Sequence, residues 1–310
     1  MFDVITFGSA AKDVFIKPAD FSFKEDLLCF PLGSKISIKE INFSSGGGGT
    51  NVAATLAKQG FSVAYCGKIG EDHSAEMIIK DLQYYGVDHS MVSTTSELPT
   101  NHSVVISVPE KDRTILVYRG ASDLYTKEDV DFSRLKAEWF YFTSLNDTFY
   151  SLLEHAMDND IKVMLNPGVS QIKEEGFKEK IKGVKVLLLN RKEASLLTGE
   201  TEDKKIALAA SDICEGVVLI TKGKEGVVAF SEGQFYEATP FVVDAEDCTG
   251  AGDSFGSGFL SAYMRTGSIE EGIVLGMANS ASCLQKIGAK KGLLNKEDEF
   301  NRVHVERSIK

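Results

Sequence analysis

The sequence has no excess of positive charge and no long hydrophobic run. Its 310 residues include 34 Lys and Arg against 45 Asp and Glu, which gives a formal net charge of −11. An acidic chain lacks the positive surface of nucleic-acid-binding proteins. The longest apolar blocks resemble Val186–Leu189, far short of the roughly 18 residues of a membrane-spanning helix. We therefore expect neither a nucleic acid nor a membrane as a partner.

The sequence also has few cysteines and no metal-binding pattern. Its 5 cysteines are dispersed and form no C-x-x-C pair, and its 5 histidines show no H-E-x-x-H spacing. An odd number of scattered cysteines favours free thiols in a reducing compartment. The first ten residues, MFDVITFGSA, lack a basic stretch followed by a cleavable apolar segment. We therefore predict a cytoplasmic protein.

Strand and helix patterns alternate along most of the chain. Short Val-, Ile- and Leu-rich runs are typical of strands buried on both faces, and their alternation with helices predicts a parallel sheet covered on both sides. No linker, low-complexity tract or internal repeat divides the sequence, so we predict one domain over residues 1–310. The predicted strands are Val4–Gly8, Val63–Cys66, Trp139–Phe142, Lys162–Leu165, Val184–Leu189 and Val217–Thr221, and the predicted helices are Thr50–Lys58, Ala75–Tyr85, Thr148–Asn159, Arg191–Leu197 and Lys204–Ile213.

Three further segments show an alternation of apolar and polar residues. The alternation in Ile36–Phe43, Ser103–Ser107 and Thr114–Tyr118 is typical of antiparallel strands with one exposed face. It predicts a small accessory sheet in addition to the large one. The segments that contribute to this sheet are inserted at about residues 10–20, 33–45 and 98–120.

Two turns and two irregular regions complete the predicted organisation. A turn at Glu110–Arg113 joins two strands of the accessory sheet, and a turn at Glu232–Gly233 makes a second hairpin from residues 227–230 and 234–237. Phe21–Leu32 is predicted as an irregular excursion near the accessory sheet. The last 15 or so residues are polar and are predicted to form a helical or frayed tail.

The most informative stretch is DCTGAGDSFGSGFLSAYM, residues 247–264. Apolar residues recur at helical spacing from Asp253 onward, so Gly250, Ala251 and Gly252 lie just before a helix N-terminus. Small residues there let backbone N–H groups approach a ligand closely, and the helix dipole favours an anion. A carboxylate beside a bound phosphate would be repelled by it, so the presence of Asp253 here needs an explanation. A general base that faces the transferring phosphoryl group supplies one. The alternative is a tight turn in which Asp253 caps the helix.

Two glycine-rich segments resemble the signatures of one enzyme family. The chain has no Walker A motif, and no dinucleotide fingerprint follows a strand. DCTGAGDSF instead resembles the C-terminal signature of the ribokinase-type (PfkB) carbohydrate kinases, D-T-x-G-A-G-D, although Cys248 stands where that family commonly has Thr. GGGGTNVAATLAKQG, residues 46–60, is similar to the family's N-terminal signature, G-G-x-x-x-N-x-A before a helix. The resemblance spans about residues 3–290.

This resemblance implies a fold and a reaction. The implied fold is α/β and ribokinase-like, with three α/β/α layers, a central mostly parallel sheet and a small β-sheet lid. The implied reaction is ATP-dependent phosphorylation of a hydroxyl group on a sugar or a related small molecule, with Mg²⁺ on the phosphates and, in many relatives, K⁺. Asp253 would accept the hydroxyl proton, while the backbone N–H groups of Gly250, Ala251 and Gly252 would stabilise the transferring group.

The resemblance also implies roles for residues at other strand ends, where open α/β sheets bind their ligands. Each of these positions has a structural alternative, such as a turn or a helix cap. Asp13, Gly46, Gly47 and Asn51 would hold the acceptor; Asn190 and Glu193 would order Mg²⁺ through water; Thr221, Lys222 and Gly223 would contact the nucleotide phosphates; Asn279 would lie near the adenine; Asn166 would face the phosphates; and Asp247 would shape a K⁺ site.

The identity of the acceptor stays open at this stage. We place an unphosphorylated sugar first (ribose, fructose or 2-keto-3-deoxygluconate type) and a nucleoside of adenosine, guanosine, inosine or cytidine type second. A phosphorylated acceptor would need cations near the lid; Lys111 and Arg113 lie in a predicted turn, whereas Arg119 follows a strand end and is the better candidate for binding the acceptor. Tyr118 and Phe43 either stack on a nucleobase or pack the sheet.

Two other classes of function are weighed against a sugar kinase. A kinase of a vitamin-like heterocycle, such as pyridoxal, shares the architecture, but the N-terminal glycine signature argues against it. A non-catalytic sensor of sugars or nucleotides is disfavoured by the presence of Asp253 and the anion loop. The edge of the accessory sheet offers a surface for pairing, and we predict a homodimer formed through the lid.

Overall fold

A computed structural model describes residues 1–25, 27–107, 113–144 and 146–310. In chain order its strands are β1 (Phe2–Phe7), β2 (Ala11–Pro18), β3 (Ser22–Lys24), β4 (Leu27–Cys29), β5 (Ile38–Gly46), β6 (Val63–Gly70), β7 (Asp88–Thr95), β8 (Asn101–Ser107), β9 (Arg113–Tyr118), β10 (Ala137–Thr143), β11 (Lys162–Asn166), β12 (Val186–Asn190), β13 (Val217–Thr221), β14 (Val227–Ser231), β15 (Gln234–Ala238) and β16 (Glu306–Ile309). Its helices are α1 (Gly48–Lys58), α2 (His73–Tyr84), α3 (Thr148–Asp158), α4 (Val169–Ile172), α5 (Phe177–Lys180), α6 (Arg191–Thr198), α7 (Asp203–Ser211), α8 (Ala251–Thr266) and α9 (Ile269–Leu284).

The large sheet is mostly parallel and is covered by helices on both faces. Its strand order is β16-β15-β14-β13-β12-β11-β10-β1-β6-β7, and the strands from β13 to β7 are parallel. One core packs α3, α6 and α7 against the sheet, and the other packs α1, α2, α8 and α9 against its opposite face. This arrangement confirms the predicted three-layer α/β/α architecture, in which buried strands carry continuous apolar runs.

The small sheet has the order β5-β2-β8-β9. Strand β2 pairs antiparallel with β5 and parallel with β8, so Asp13 lies between Ser44 and Ser103. Strands β8 and β9 pair antiparallel as predicted, but the predicted turn at 110–113 lies outside the described residues except for Arg113. Strand β1 is followed after three residues by β2, and β5 is followed after one residue by α1. The small sheet is therefore attached to the large sheet at the carboxyl end of β1.

Two predictions about irregular regions are corrected by the structure. Phe21–Leu32 contains the short antiparallel pair β3 and β4. The C-terminal tail is neither helical nor frayed, because β16 pairs antiparallel with β15 at the sheet edge, with Ile309 opposite Gln234. All four residues of β16 are exposed, so the strand has no apolar alternation that a sequence pattern could detect.

The hairpin of β14 and β15 is confirmed. Glu232 and Gly233 connect the two strands with φ values of 48° and 79°, the positive pair that a two-residue hairpin turn requires. Among the residues that the structure describes, no helix is long and apolar enough to cross a membrane.

Candidate active site

Helix α8 follows a tight turn at Gly250, a position that only glycine can occupy without strain. Gly250 has a φ of 78°, and a Cβ atom there would lie 2.4 Å from the Cβ of Ala289. Gly252 differs, because a Cβ atom at that position would meet nothing within 4 Å. Open space therefore lies beside the backbone of the first turn of a 16-residue helix, where the helix dipole is positive. This geometry fits the phosphate chain of a nucleotide, which is the group that the sequence predicts here.

The N-terminus of α1 is approached by a second glycine turn. Gly47 has a φ of 93°, and a Cβ atom there would lie 2.4 Å from the carbonyl oxygen of Ser9. At Gly46 the obstacle would be Asp13, whose Oδ2 lies only 1.9 Å from the position of a Cβ atom. The absence of a side chain at Gly46 thus lets the Asp13 carboxylate lie directly against the turn, while Gly47 lets the backbone of Ser9 approach it.

A hydrogen bond joins the two glycine segments. Asn51, in the first turn of α1, donates from Nδ2 to Oδ2 of Asp253 over 2.8 Å, although the residues are 202 positions apart. The other amide atom, Oδ1 of Asn51, is buried and accepts no hydrogen bond from the described residues. A buried acceptor without a partner is costly, and no described residue offsets this cost.

The Asp253 and Asp13 carboxylates have raised pKa values because they are buried. Burial raises the pKa of Asp253, while the hydrogen bond from Asn51 and the charge of Lys290 act in the opposite direction. Burial also raises the pKa of Asp13 to about 6, against a hydrogen bond from Ser103 and the charge of Lys290. A carboxylate with a raised pKa is a better proton acceptor at neutral pH than an ordinary one.

Asp247 holds the segment before α8 in place. Its Oδ1 accepts hydrogen bonds from the backbone N–H and the hydroxyl of Thr249, and its Oδ2 accepts from the N–H of Gly288 over 3.0 Å. No group of three or more His, Cys, Asp or Glu residues in the described part of the chain could hold a metal ion. The role of Asp247 toward K⁺ remains a prediction.

The residues predicted to face the nucleotide lie at the ends of adjacent strands. Asn190 ends β12 opposite Thr221 at the end of β13. Asn190 and Glu193 form a reciprocal capping box for α6: the Asn190 side chain accepts from the Glu193 N–H, and Glu193 accepts from the Asn190 N–H. Lys222 pairs with Asp203 over 3.3 Å, and Gly223 has a positive φ of 58° with open space around it. Asn190 and Glu193 thus have a structural function whatever they bind.

Asn279 and Asn166 are placed differently from the other candidates. The Asn279 side chain is fully buried, donates to the carbonyl of Ser254 and accepts from the N–H of Leu294, so it joins α9 to α8 and to the following loop. Because both ends of its amide are occupied, Asn279 would influence adenine binding by holding α9 in place. Asn166 donates to the Leu188 carbonyl between two strand ends.

A cavity of about 390 Å³ opens beside the glycine turn of α1. It begins at Gly8 and Ser9, whose backbone contacts Gly47 and Gly49. Arg119 lines it from the small-sheet side, with Asn101, Ser122, Ser144 and Ser170 among the other polar residues. Lys68, Asp123 and Glu174 also line the cavity. The charge of Lys68 is paired with Asp129, whose Oδ1 lies 2.8 Å from the lysine Nζ. Mixed donors and acceptors of this kind suit a ligand rich in hydroxyl groups.

Two residues near the site escape sequence reasoning. Lys290 is buried and pairs with Asp81, yet it follows no motif and stands in a polar segment for which the sequence predicts an exposed position. The Tyr141 hydroxyl is buried below α8 with no hydrogen-bond partner among the described residues, and burial raises the pKa of this tyrosine. Tyr141 lies in a continuous apolar strand, where periodicity predicts only core.

Comparisons with known proteins show which chains this one resembles. The model of the pfkB family of carbohydrate kinases matches residues 1–296. The chain is 28% identical over 276 residues to a ribokinase of Haemophilus influenzae, which covers 86% of this chain and 89% of that protein. It is 27% identical over 257 residues to an ATP-dependent ribose-1-phosphate kinase of Halopiger xanaduensis, with 82% and 85% covered.

A solved structure shows the same fold. The ribokinase of Arabidopsis thaliana, complexed with ribose and ATP, matches with a TM-score of 0.79 at 24% identity, and the match covers 95% of this chain and 96% of that one. The predicted fold class, a large mostly parallel sheet with helices and a smaller separate sheet, is therefore confirmed.

Proposed function

Since the chain belongs to the pfkB family of carbohydrate kinases, we propose that it transfers a phosphoryl group from ATP to a hydroxyl group of an unphosphorylated sugar. The observation that carries this proposal is the hydrogen bond between Asn51 and Asp253, which brings the acceptor-binding turn to the predicted base. The ribose- and ATP-bound relative and the sugar kinases among the curated relatives support the choice of substrates.

Asp253 acts as the general base in this proposal. Asn51 holds its Oδ2, which leaves Oδ1 to accept the proton of the acceptor hydroxyl. Burial raises the pKa of Asp253, which makes its carboxylate a stronger proton acceptor. Asp13, with the backbone of Gly46 and Gly47, holds other hydroxyls of the sugar, and the cavity beside Gly8 accommodates the rest of the ring.

The α8 turn supplies charge stabilisation. The backbone at Gly250, Ala251 and Gly252 faces the transferring group, and phosphoryl transfer asks a protein mainly for positioning and for such electrostatic help. Mg²⁺, when bound with ATP, neutralises phosphate charge; Asn190 and Glu193 would hold its waters, since Mg²⁺ keeps much of its hydration shell. Thr221, Lys222 and Gly223 lie at the next strand end for the remaining phosphates. We also propose that the small sheet serves as a lid that excludes water.

The test of this function is ADP release with Mg-ATP, with and without K⁺, across sugars, sugar acids, sugar phosphates and nucleosides. Release that depends on one neutral sugar supports the proposal. Release with nucleosides alone would favour the second candidate, for which the half-exposed rings of Phe43 and Tyr118 on the small sheet are the supporting observation. ATP binding without release on any acceptor would indicate a sensor.

Arg119→Ala is expected to raise the KM for the acceptor by about 10- to 100-fold, because a charged hydrogen bond contributes roughly 1.5–3 kcal/mol. The KM for ATP should stay unchanged, since Arg119 lines the cavity beside Gly8 and not the α8 turn. Steady-state kinetics with each substrate varied in turn measures both values. Arg302→Ala, which removes a surface arginine paired with Glu271, is the control. An unchanged acceptor KM would remove Arg119 from the acceptor site.

We further propose that the protein is a homodimer formed through the small sheet. Strand β9 is an edge strand whose Ile115, Leu116, Val117 and Tyr118 are all at least 40% exposed. An exposed apolar edge is a surface for pairing with a second copy. Light scattering at micromolar concentration should give twice the chain mass of 33.8 kDa, and Leu116→Glu should give the single mass. A monomeric wild-type protein would refute the dimer.

A further inference from the structure

A buried lysine is hydrogen-bonded to Ser45, the residue that precedes the glycine turn of α1. The Lys290 side chain is 5% exposed, and its Nζ donates to Oγ of Ser45 over 2.6 Å and to Oδ2 of Asp81 over 2.9 Å. Ser45 donates in turn to the same Asp81 oxygen. Ser45 directly precedes Gly46, the glycine against which the Asp13 carboxylate packs. The ammonium group is therefore hydrogen-bonded to the residue that precedes Gly46 and Gly47, the turn proposed to bind the acceptor.

The position of this charge requires an explanation, because burying an ammonium group is costly unless it is paired and hydrogen-bonded. Asp81 supplies one pairing partner, but its side chain is itself 28% exposed and belongs to α2, outside the proposed site. The charge of Lys290 also acts on Asp13 and on Asp253. The ammonium group therefore pairs directly with Asp81, while its charge lowers the pKa of Asp13 and of Asp253, the two carboxylates proposed to bind and to activate the acceptor.

We propose that Lys290 is a positioning residue whose fixed positive charge keeps Asp13 and Asp253 ionised in the closed, water-poor site. This inference deepens the function proposed above and rests on it. Both acids are needed as carboxylates: Asp253 to accept a proton, and Asp13 to accept hydrogen bonds from sugar hydroxyls. The tethered ammonium supplies this compensation without occupying the space of the acceptor, because Ser45 and Asp81 hold it behind the glycine turn.

Several other groups act on the same carboxylates. Burial lowers the pKa of Lys290, and the negative charges of Asp81, Asp13 and Asp253 raise it again. Four other titratable groups face this cluster. The charge of Asp247, before α8, adds to burial in raising the pKa of Asp13, and the charge of Asp253 adds to burial in raising the pKa of Tyr141 on β10 and of Cys283 on α9. Burial and the charge of Asp81 raise the pKa of Tyr85, whose hydroxyl donates to the Lys290 carbonyl. Among the groups described, Lys290 is the cation whose charge lowers the pKa of both Asp13 and Asp253.

The test is a pH titration of the two carboxylates that does not depend on activity. Protein labelled with ¹³C at aspartate carboxyl carbons is titrated by NMR, and the Asp13 and Asp253 signals are identified by their loss in Asp13→Asn and Asp253→Asn. In Lys290→Met both midpoints should rise by about one pH unit or more, because a nearby opposite charge is removed. The acidic limb of kcat/KM should move upward by the same amount.

Two controls keep the result unambiguous. Lys58→Met removes another partly buried lysine, one that donates to the Leu293 carbonyl of the same C-terminal segment and faces Asp298 instead of the site; it should leave both midpoints unchanged. If Lys290→Met does not fold, Lys290→Met with Asp81→Asn removes both members of the ion pair and should show the same rise. Unmoved midpoints in a folded variant would overturn the role of Lys290. A wild-type protein without kinase activity would refute the proposed function instead, while the titration would still be measurable.

Discussion

Asp253→Asn is expected to lower kcat by about 10²- to 10⁴-fold, the usual contribution of a general base. The amide keeps the size of the carboxylate and its contact with Asn51, but it cannot accept the proton of the acceptor hydroxyl. Binding of ATP should persist, because the open space beside Gly252 and the dipole of α8 remain. Single-turnover ADP formation, together with ATP titration by calorimetry, separates the two effects.

The matched control for this variant is Asp212→Asn, which changes an exposed aspartate at the end of α7. It should retain wild-type turnover. The Asp253 variant should unfold at no lower temperature than the wild type, since it removes a buried charge with a raised pKa. A folded Asp253→Asn protein with wild-type kcat would disprove the assignment of the base, and phosphoryl transfer would then depend on positioning alone.

Gly46→Ala is expected to lower kcat/KM for the acceptor by about 10²-fold or more. Its Cβ atom would lie 1.9 Å from Oδ2 and 2.7 Å from Cγ of Asp13, so the carboxylate must move by an ångström or more. A displacement of about 1 Å in a positioning group is enough for a loss of this size. The KM for ATP should stay near its wild-type value. Steady-state kinetics with the acceptor found in the substrate panel measures both.

Gly183→Ala tests whether an added methyl group alone has this effect. A Cβ atom at Gly183 would meet only the sulfur and terminal methyl of Met157, at 2.9 and 3.0 Å, which are the flexible end of a side chain that can shift. We expect wild-type kinetics for this control. If Gly46→Ala also behaved like the wild type, Asp13 would not be held by the turn, and its place in the acceptor site would have to be abandoned.

The large sheet could be predicted from the sequence because its strands are buried on both faces. The run Val217–Thr221 consists of β-branched residues and one leucine, and the structure places this strand at the predicted bounds. Strand β7 could not be predicted in this way, because Asp88–Thr95 is rich in Ser and Thr and is only partly buried. Strand β16 escaped prediction for a related reason: its stability comes from backbone pairing with β15, which leaves no pattern of side chains.

The candidate site divides along a similar line. The glycine segments could be found because the turns at Gly47 and Gly250 exclude other residues, and such constraints leave a readable motif. The capping box of Asn190 and Glu193 shows the limit of motifs, since the same two residues satisfy a structural need. Lys290 could not be found, because its burial depends on Asp81 and Ser45, which are more than 200 positions away.

The hydrogen bond between Asn51 and Asp253 has a consequence for the protein while it is being made. Asn51, beside the turn proposed to bind the acceptor, is synthesised 202 positions before Asp253, the proposed base in the first turn of α8. While α8 is still inside the ribosome, the nascent chain already contains the parallel strands β1, β6, β7 and β10 to β13, but it lacks the proposed base and the turn proposed to bind phosphate. The enzyme should therefore be silent through most of its synthesis and gain its activity late, when long-range contacts close.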